Sequence, residues 1–354
     1  MDNYEKLIVP LGTSIIDAMS IIDNGAKGIA FICGNDNVVL ATLTDGDIRR
    51  HILKNGELNT MIDNIGNRNF LSAKVGYDSV ELRKLAVPRM IKNIPVLGDR
   101  GELIDVFDCD KFGSIKKTQI GTPVVIMAGG KGTRLYPYTK VLPKPLIPIG
   151  DISITEHIIK SFNEYSCTDF SMIVNHKKNM IKAYFADIQD DGYTINFFDE
   201  DNPLGTGGGL SLIKGQLNET FFMTNCDVLV FEDYSKILDY HRAEGNMLTI
   251  VCSTKRFTVP YGTVGINDLG MLVSITEKPS VTSLVNTGLY IIESEFLTDI
   301  ADNRFAHITD LIIERSRSNV KIGVYPISES KWADMGQHDE MERMKELLQS
   351  KNQL

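Results

Sequence analysis

The sequence is short of the features that mark whole classes of protein. Its 354 residues hold five cysteines, Cys33, Cys109, Cys167, Cys226 and Cys252. They are odd in number, scattered and never spaced C-x-x-C, which excludes a disulfide framework and a zinc site. No run approaches the ~20 apolar residues that a membrane span needs, so no membrane partner is expected. The stretch from Met1 to Gly12 is charged early and lacks a long apolar run, so it does not read as a signal peptide. Basic residues are outnumbered, 37 Lys and Arg against 46 Asp and Glu, for a net charge of −9. Most of such a surface repels a polyanion, which excludes nucleic acid as a partner and leaves a phosphate ligand to a local basic pocket. What remains is a reduced, cytoplasmic protein. With 43% hydrophobic residues it can build a buried core, and its length fits two or three domains.

What the sequence does contain begins with an internal repeat. IAFICGNDNVVLATLTDGD from Ile29 and IPVLGDRGELIDVFDCD from Ile94 both read as strand, tight polar turn, strand and acidic corner. Asp45 and Asp47 align with Asp108 and Asp110, and Phe107 takes the place of Thr44. A helical stretch precedes each hairpin: LGTSIIDAMSIID from Leu11 aligns with VGYDSVELRKLAV from Val75. Ile15, Ile16, Met19 and Ile22 fall at helical spacing. The outcome is two βαββα-like units, over 8–57 and 65–117, each too small to stand well alone and expected to pack on the other. LATLTDGDIRR resembles the strand-to-helix corner of a CBS domain, and the tandem copies resemble a CBS pair spanning 1–117. That resemblance implies an adenine nucleotide whose ribose lies at Thr44 and Asp47. A hydroxyl, carboxylate acceptors and a helix N-terminus suit a nucleotide there. The second copy lacks the hydroxyl residue, so the resemblance carries one nucleotide site. The competing reading is that Asp45 and Asp47 only cap the IRRHIL helix. CBS pairs commonly associate, which implies a homo-oligomer.

Lys116 to Thr122, KKTQIGT, is a polar break, and 118–122 is taken as the linker to a second domain over 123–354. In that domain TPVVIMA, FSMIVN, FFMTNCDVLV, MLTIVCS, VNTGLYII and VKIGVYPI are β-branched-rich runs of strand length. ITEHIIKSFNEY, YSKILDYHRAEG and DEMERMKELLQ are amphipathic helical segments. The alternation predicts an α/β fold with a mostly parallel sheet covered on both faces. Ligands of such sheets sit at the carboxyl ends of the strands.

The chemistry concentrates in MAGGKGTRLYPYTKVLPKP, from Met127 to Pro145. An apolar strand runs into a glycine loop, where the backbone can approach phosphate oxygens and successive N–H groups form an anion nest. Arg134 can grip phosphate through two N–H groups, and Lys144 is held extended between Pro143 and Pro145. The loop is neither a Walker A loop nor a dinucleotide fingerprint. G-G-x-G-T-R followed by P-K-P resembles the sugar-1-phosphate nucleotidyltransferase family, over essentially all of 123–354. The resemblance implies a Rossmann-like, GT-A-like sheet and assigns Ala128, Gly129, Gly130, Gly132 and Thr133 to the nucleotide. Pro203 to Gly208, PLGTGG, resembles the loop that packs on the base and adds Leu204, Gly205 and Thr206. Asn225-Cys226-Asp227 resembles the N-G-D whose Asp binds the metal, with cysteine in the glycine's place. Tyr261-Gly262 and Glu277-Lys278-Pro279 resemble sugar-side loops, and Asn286-Thr287-Gly288 the loop that contacts sugar hydroxyls. Trp332 to Gly336, WADMG, resembles the motif carrying the second metal-binding carboxylate, Asp334.

The mechanism so implied is in-line attack of a sugar phosphate oxygen on the α-phosphorus of an NTP, with pyrophosphate leaving. Asp227 and Asp334 would hold Mg²⁺. Arg134 would face the departing pyrophosphate, Lys144 the α-phosphate and Lys278 the sugar phosphate, with Glu277 and Asn286 reading hydroxyls. Guanine offers an N1–H and an amino group side by side, which one carboxylate accepts together. The acidic run Asp199-Glu200-Asp201 precedes the base loop with no Gln nearby, so GTP is expected, with Glu200 as its reader. The layout resembles the guanylyltransferases of bacterial nonulosonic acid pathways, which act on glucosamine 1-phosphate. Mannose- and heptose-1-phosphate guanylyltransferases are similar but generally lack the front module. Two rivals stand beside this reading. Against a phosphocholine cytidylyltransferase count the E-K-P and N-T-G loops; against a non-catalytic nucleotide sensor counts the presence of Arg134, Lys144, Asp227 and Asp334.

Overall fold

Two compact units divide the chain. One gathers 1–116, 254–285 and 326–330, the other 117–253, 286–325 and 331–354. The chain thus passes between units at the edge of the expected linker and twice returns to the first. The computed structural model describes residues 4–25, 27–55, 60–89, 91–109, 117–188, 192–336 and 338–350.

The first unit begins with β1 (Ile8–Pro10), α1 (Ile15–Gly25), β2 (Ile29–Cys33), β3 (Val39–Thr44) and α2 (Asp45–Asn55). It continues with β4 (Ala73–Lys74), α3 (Ser79–Ala86), β5 (Asn93–Leu97) and β6 (Leu103–Asp108). Both three-stranded sheets pair their first strand parallel and their third antiparallel to the middle one. The internal repeat is therefore structural. Its register differs from the sequence alignment by one residue. Ile29 pairs with Thr44 as Asn93 pairs with Asp108, and the hairpins are irregular at matching points, Ile32/Cys33 and Val96/Leu97. Asp108, not Phe107, occupies the place of Thr44, while Phe107 is buried in the second repeat's core. Matching acidic letters misplaced the register; the ladder sets it, because a one-residue slip would turn every side chain to the other face. Asp110 lies outside the described residues.

Helix α1 buries Ile15, Ala18, Met19 and Ile22, and Ile16 is half-buried. The two repeats share a core: Leu7, Ile29, Phe31 and Val39 of the first cluster with Leu97, Leu103 and Val106 of the second. Lys27 pairs with Asp108 at 3.1 Å, and Asn93 Nδ2 donates to the Lys27 carbonyl at 3.0 Å. Each repeat thus supplies the apolar surface the other lacks.

The second unit supplies β7 (Val124–Ala128), α4 (Tyr138–Val141), β8 (Pro148–Ile149), β9 (Ile152–Ser153), α5 (Ile154–Asn163), β10 (Asp169–Val174), α6 (Lys178–Asp187), β11 (Thr194–Asp199), α7 (Gly205–Gly208), β12 (Phe221–Asn225), β13 (Val228–Val230) and α8 (Tyr234–Glu244). In chain order then follow β14 (Leu248–Thr258), the hairpin β15 (Thr263–Ile266) and β16 (Leu272–Thr276), which belongs to the first unit, β17 (Ser280–Ile292), α9 (Ile308–Arg317), β18 (Ile322–Ile327), β19 (Trp332–Asp334) and α10 (His338–Ser350). Seven strands form one sheet in the order β11-β10-β7-β12-β17-β14-β18. The run β11-β10-β7-β12 is parallel, and β17 joins antiparallel to β12. This is the expected mixed α/β architecture with a large, mostly parallel sheet. All six apolar runs are strands. The half-exposed edge strand β11 is one that no apolar run announces, since an edge strand need bury only one face. The expected single run FFMTNCDVLV breaks into β12 and β13 around Cys226-Asp227. Val125, Met127, Ile173, Phe221, Met223, Tyr290 and Ile292 belong to the core cluster of this unit. Among the described residues no helix is long and apolar enough to cross a membrane.

A buried polar network fixes α8 to the sheet. His241 is 0% exposed; its Nδ1 lies 2.8 Å from Thr249 Oγ1 and its Nε2 2.9 Å from Glu293 Oε1. Burial holds the imidazole below its ordinary value, although Glu293 acts the other way. The folded state therefore refuses a proton that the unfolded chain accepts. Stability from this group is complete above the unfolded value of about 6.5 and is lost as pH falls below it. We expect the melting temperature to drop more in the parent than in His241→Gln between about pH 7.5 and about pH 5.5, either side of that value. Equal drops by calorimetry would refute the assignment.

Candidate active site

The glycine loop leaves the buried end of β7, and its glycines have different physical reasons. A Cβ on Gly129 would lie 2.5 Å from Glu200 Oε2. Gly132 has φ +64, and a Cβ there would lie 2.9 Å from Thr139 Cγ2 and 3.1 Å from Lys144 Cβ. Gly130 has no heavy atom within 4 Å of such a Cβ. Gly129 and Gly132 thus permit packing, whereas Gly130 leaves backbone open to a ligand. Ala128 is buried at the strand end, and Thr133 and Arg134 are exposed on the short turn that follows.

Across the sheet end, β13 pairs antiparallel with β19, setting Val228 opposite Asp334. The Met335 N–H donates to the Asp227 carbonyl at 2.9 Å. Two carboxylates are thereby held side by side in a buried place. Lys144 Nζ donates to Asp227 Oδ2 and forms an ion pair with it. Burial alone would pull the Lys144 amine down, but the negative charges of Asp227 and Asp334 outweigh it and hold the amine above its ordinary value. Burial, followed by the charge of Asp227, pushes the Asp334 carboxyl up from 3.8 to about 6. Asp334 Oδ1 is buried with no hydrogen-bond partner. A lone carboxylate oxygen of this kind beside a second carboxylate suits a hard cation, which accepts one or two carboxylates and completes its shell with water and phosphate oxygens. Among the described residues no group of three or more His, Cys, Asp and Glu could hold a metal by itself. Cys226, in the place of the expected glycine, is buried, and burial pushes its thiol up to about 12. At that value the thiol is neutral near neutral pH.

Glu200 follows β11 and is 5% exposed. Leu204 N–H donates to its Oε1 at 3.3 Å, and a Cβ on Gly209 would lie 3.0 Å from the same atom. Burial raises the carboxyl above its ordinary value. The glycines beside it pack against backbone. A Cβ on Gly205 would lie 2.6 Å from the Ala306 carbonyl oxygen, and one on Gly208 2.1 Å from that of Arg304. Thr206 Oγ1 accepts the Ile308 N–H at 3.1 Å, so its hydroxyl serves the start of α9.

Among the expected sugar-side residues the structure sorts two groups. Gly262, Glu277 and Lys278 are exposed at the open end of the β15–β16 hairpin in the first unit. A Cβ on Gly262 would lie 2.9 Å from Glu277 Oε2, and Lys278 has φ 45. Asn286 and Thr287 belong to the second unit. Asn286 is exposed; its Nδ2 donates to Tyr290 Oη at 2.6 Å, and its Oδ1 accepts the Gly288 N–H at 3.0 Å. Thr287 is buried and spends its hydroxyl on the Val251 carbonyl at 2.7 Å. In the first unit, Asp47 Oδ2 accepts from Thr44 N–H at 2.9 Å and from its hydroxyl at 2.6 Å, while Thr44 Oγ1 accepts the Asp47 N–H at 3.3 Å. Both side chains thus cap α2 reciprocally. The sequence reading missed the corner Asn175-His176-Lys177 after β10. The only signal was its position, since ligands of parallel sheets gather at such strand ends.

The nucleotidyl transferase family model matches residues 123–351. Mannose-1-phosphate guanylyltransferase of Mycobacterium tuberculosis is 28% identical over 223 residues, covering 62% of each chain. Mannose-1-phosphate guanyltransferase of Kluyveromyces lactis is 31% identical over 224 residues, covering 60% of this chain and 61% of that one. The chain therefore spans about six-tenths of the length of these curated relatives. HddC from Yersinia pseudotuberculosis shares the fold, with a TM-score of 0.51 and 23% identity over 64% of this chain and 98% of that one.

The glycine geometry separates packing from ligand roles. Gly208→Ala should destabilise the fold by about 1–3 kcal/mol, because the new carbon meets backbone. Gly130→Ala should leave the melting temperature unchanged and weaken nucleotide binding. Denaturant unfolding and nucleotide titration of both variants check this; a destabilised Gly130→Ala would contradict it.

Proposed function

We propose that this chain, which belongs to the nucleotidyl transferase family, transfers a nucleoside monophosphate from GTP to a sugar 1-phosphate and releases pyrophosphate. The observation that carries the reading is the convergence of Lys144, Asp227 and Asp334 at the sheet end that also bears the glycine loop. In-line displacement at phosphorus needs positioning and charge neutralisation more than covalent catalysis. The open backbone at Gly130 would receive NTP phosphate oxygens, and Arg134 would meet the departing pyrophosphate. Lys144 would neutralise the α-phosphate. Asp227 and Asp334 would hold Mg²⁺, whose contribution when bound is to offset phosphate charge.

Glu200 supports guanine as the base. Its carboxylate is buried beside Gly129 and held by the base loop, and a carboxylate matches the two adjacent donors of guanine. The guanylyltransferase relatives favour the same base. For the acceptor we take glucosamine 1-phosphate, on the resemblance of the layout to the nonulosonic acid guanylyltransferases. Mannose 1-phosphate is a second reading, favoured by the names of the relatives. Asn286 would read sugar hydroxyls; the assignment of Lys278 to the sugar phosphate and of Glu277 to hydroxyls rests on the motif resemblance alone. The front repeats would act as a CBS pair, with adenine nucleotide at Thr44 and Asp47. Such a ligand has to compete with the helix cap they already form.

Pyrophosphate release with Mg²⁺, across GTP, CTP, UTP, dTTP and ATP with glucosamine 1-phosphate, mannose 1-phosphate and phosphocholine, tests the reading. Turnover confined to GTP with a sugar phosphate is expected, falling about a hundredfold or more in Asp227→Asn. Glu200→Gln should narrow the preference for GTP over UTP by about tenfold, the worth of one buried hydrogen bond left unmatched. Preference of the parent for UTP, dTTP or CTP would sink the guanine assignment.

A further inference from the structure

The corner Asn175-His176-Lys177 touches the proposed site from several directions. Asn175 Nδ2 donates to the Glu200 carbonyl at 3.0 Å. The His176 N–H meets the Gly129 carbonyl at 3.5 Å. Lys177 Nζ donates to the carbonyls of Lys140 at 2.6 Å and Val141 at 2.7 Å, and reaches that of Thr139 at 3.5 Å. Those carbonyls belong to α4, a single turn whose last oxygens lack partners within the helix. A lysine ammonium carries three donors and matches three such oxygens. Helix α4 lies in the chain between Arg134 and Lys144 and is tied back to the glycine loop, since Thr139 Oγ1 donates to the Gly132 carbonyl at 2.8 Å. Lys177 itself has φ 55 and ψ 32, the left-handed region. That conformation is strained for a non-glycine residue and persists where surrounding contacts over-determine it.

We propose that Lys177 is a positioning residue. Its ammonium clasps the α4 carbonyls and so fixes the turn that separates Arg134 from Lys144. It acts through the loop and not on the substrate, because its donors are matched by carbonyls. The inference rests on the reading of Arg134 and Lys144 as phosphate-binding groups.

The test compares Lys177→Met and Lys177→Arg in the full-length protein. Backbone amide exchange over 132–144 should speed by about tenfold or more in Lys177→Met, as a local opening does. With GTP and the sugar phosphate that turns over, kcat should fall about a hundredfold, the scale of a misplaced catalytic group. KM for the sugar phosphate should stay within about twofold of the parent, since the clasp is remote from sugar binding. Lys177→Arg should recover most of both losses, because a guanidinium also donates to several carbonyls. A lysine of merely structural importance would lower the melting temperature and leave kcat per folded molecule intact. Parent-like exchange and kcat in Lys177→Met would overturn the proposal, as would a loss that Lys177→Arg shares in full. Exchange needs no turnover: an inactive parent would count against the proposed reaction, while exchange would still decide the clasp.

Discussion

Two carboxylates brought together away from water repel each other, and the sheet end is built around that repulsion. Asp227 sits at the break between β12 and β13, and Asp334 ends β19; the antiparallel pairing of β13 with β19 sets Asp334 opposite Val228, the residue after Asp227. Burial first, and then the charge of Asp227, pushes the Asp334 carboxyl up to about 6. One positive charge from the protein, Lys144, partly offsets the pair. In a buried setting such an arrangement is costly unless further cation or hydrogen-bond partners arrive. The negative charge left over after Lys144 suits a further cation.

The rest of the site depends on that geometry. Lys144 reaches Asp227 from the first residue of a 3-10 turn, Lys144–Leu146, that follows the extended Pro143; the extended backbone expected at Lys144 itself is replaced by that turn. That segment packs against Gly132 so closely that any side chain there would meet it. Glu200 lies on the far side of the same glycine loop, within 2.5 Å of where a Cβ on Gly129 would stand. The glycine loop is therefore packed between Glu200 on one side and Lys144, the partner of Asp227, on the other. A change at any of these glycines propagates to the others because protein interiors are close-packed.

Much of this was legible in the sequence because it is written in short segments. The apolar runs of the sheet carry their period locally, and G-G-x-G-T-R with P-K-P is a contiguous motif. The two Asp residues were found by motif, not by their proximity: 227 and 334 are far apart in the chain, and only strand pairing joins them. The glycine run from Gly205 resembles a base-packing loop by motif; its missing Cβ atoms make room for the Arg304 and Ala306 backbone. Such room cannot be seen in letters. Thr287 reads as a sugar contact by motif yet its hydroxyl serves the Val251 carbonyl. Lys177 left no trace in the sequence, since its partners are backbone oxygens that any residue supplies. In the front repeats the acidic corner was visible, but its register was set by hydrogen-bond pairing and differs by one residue.

The proposed function makes Asp227 and Asp334 one cation site completed by nucleotide. Electron paramagnetic resonance of Mn²⁺ added with a non-hydrolysable GTP analogue is the test. An immobilised Mn²⁺ signal is expected in the parent protein and is lost in both Asp227→Asn and Asp334→Asn, with all three proteins folded by circular dichroism. An immobilised signal that survives either substitution unchanged would contradict it.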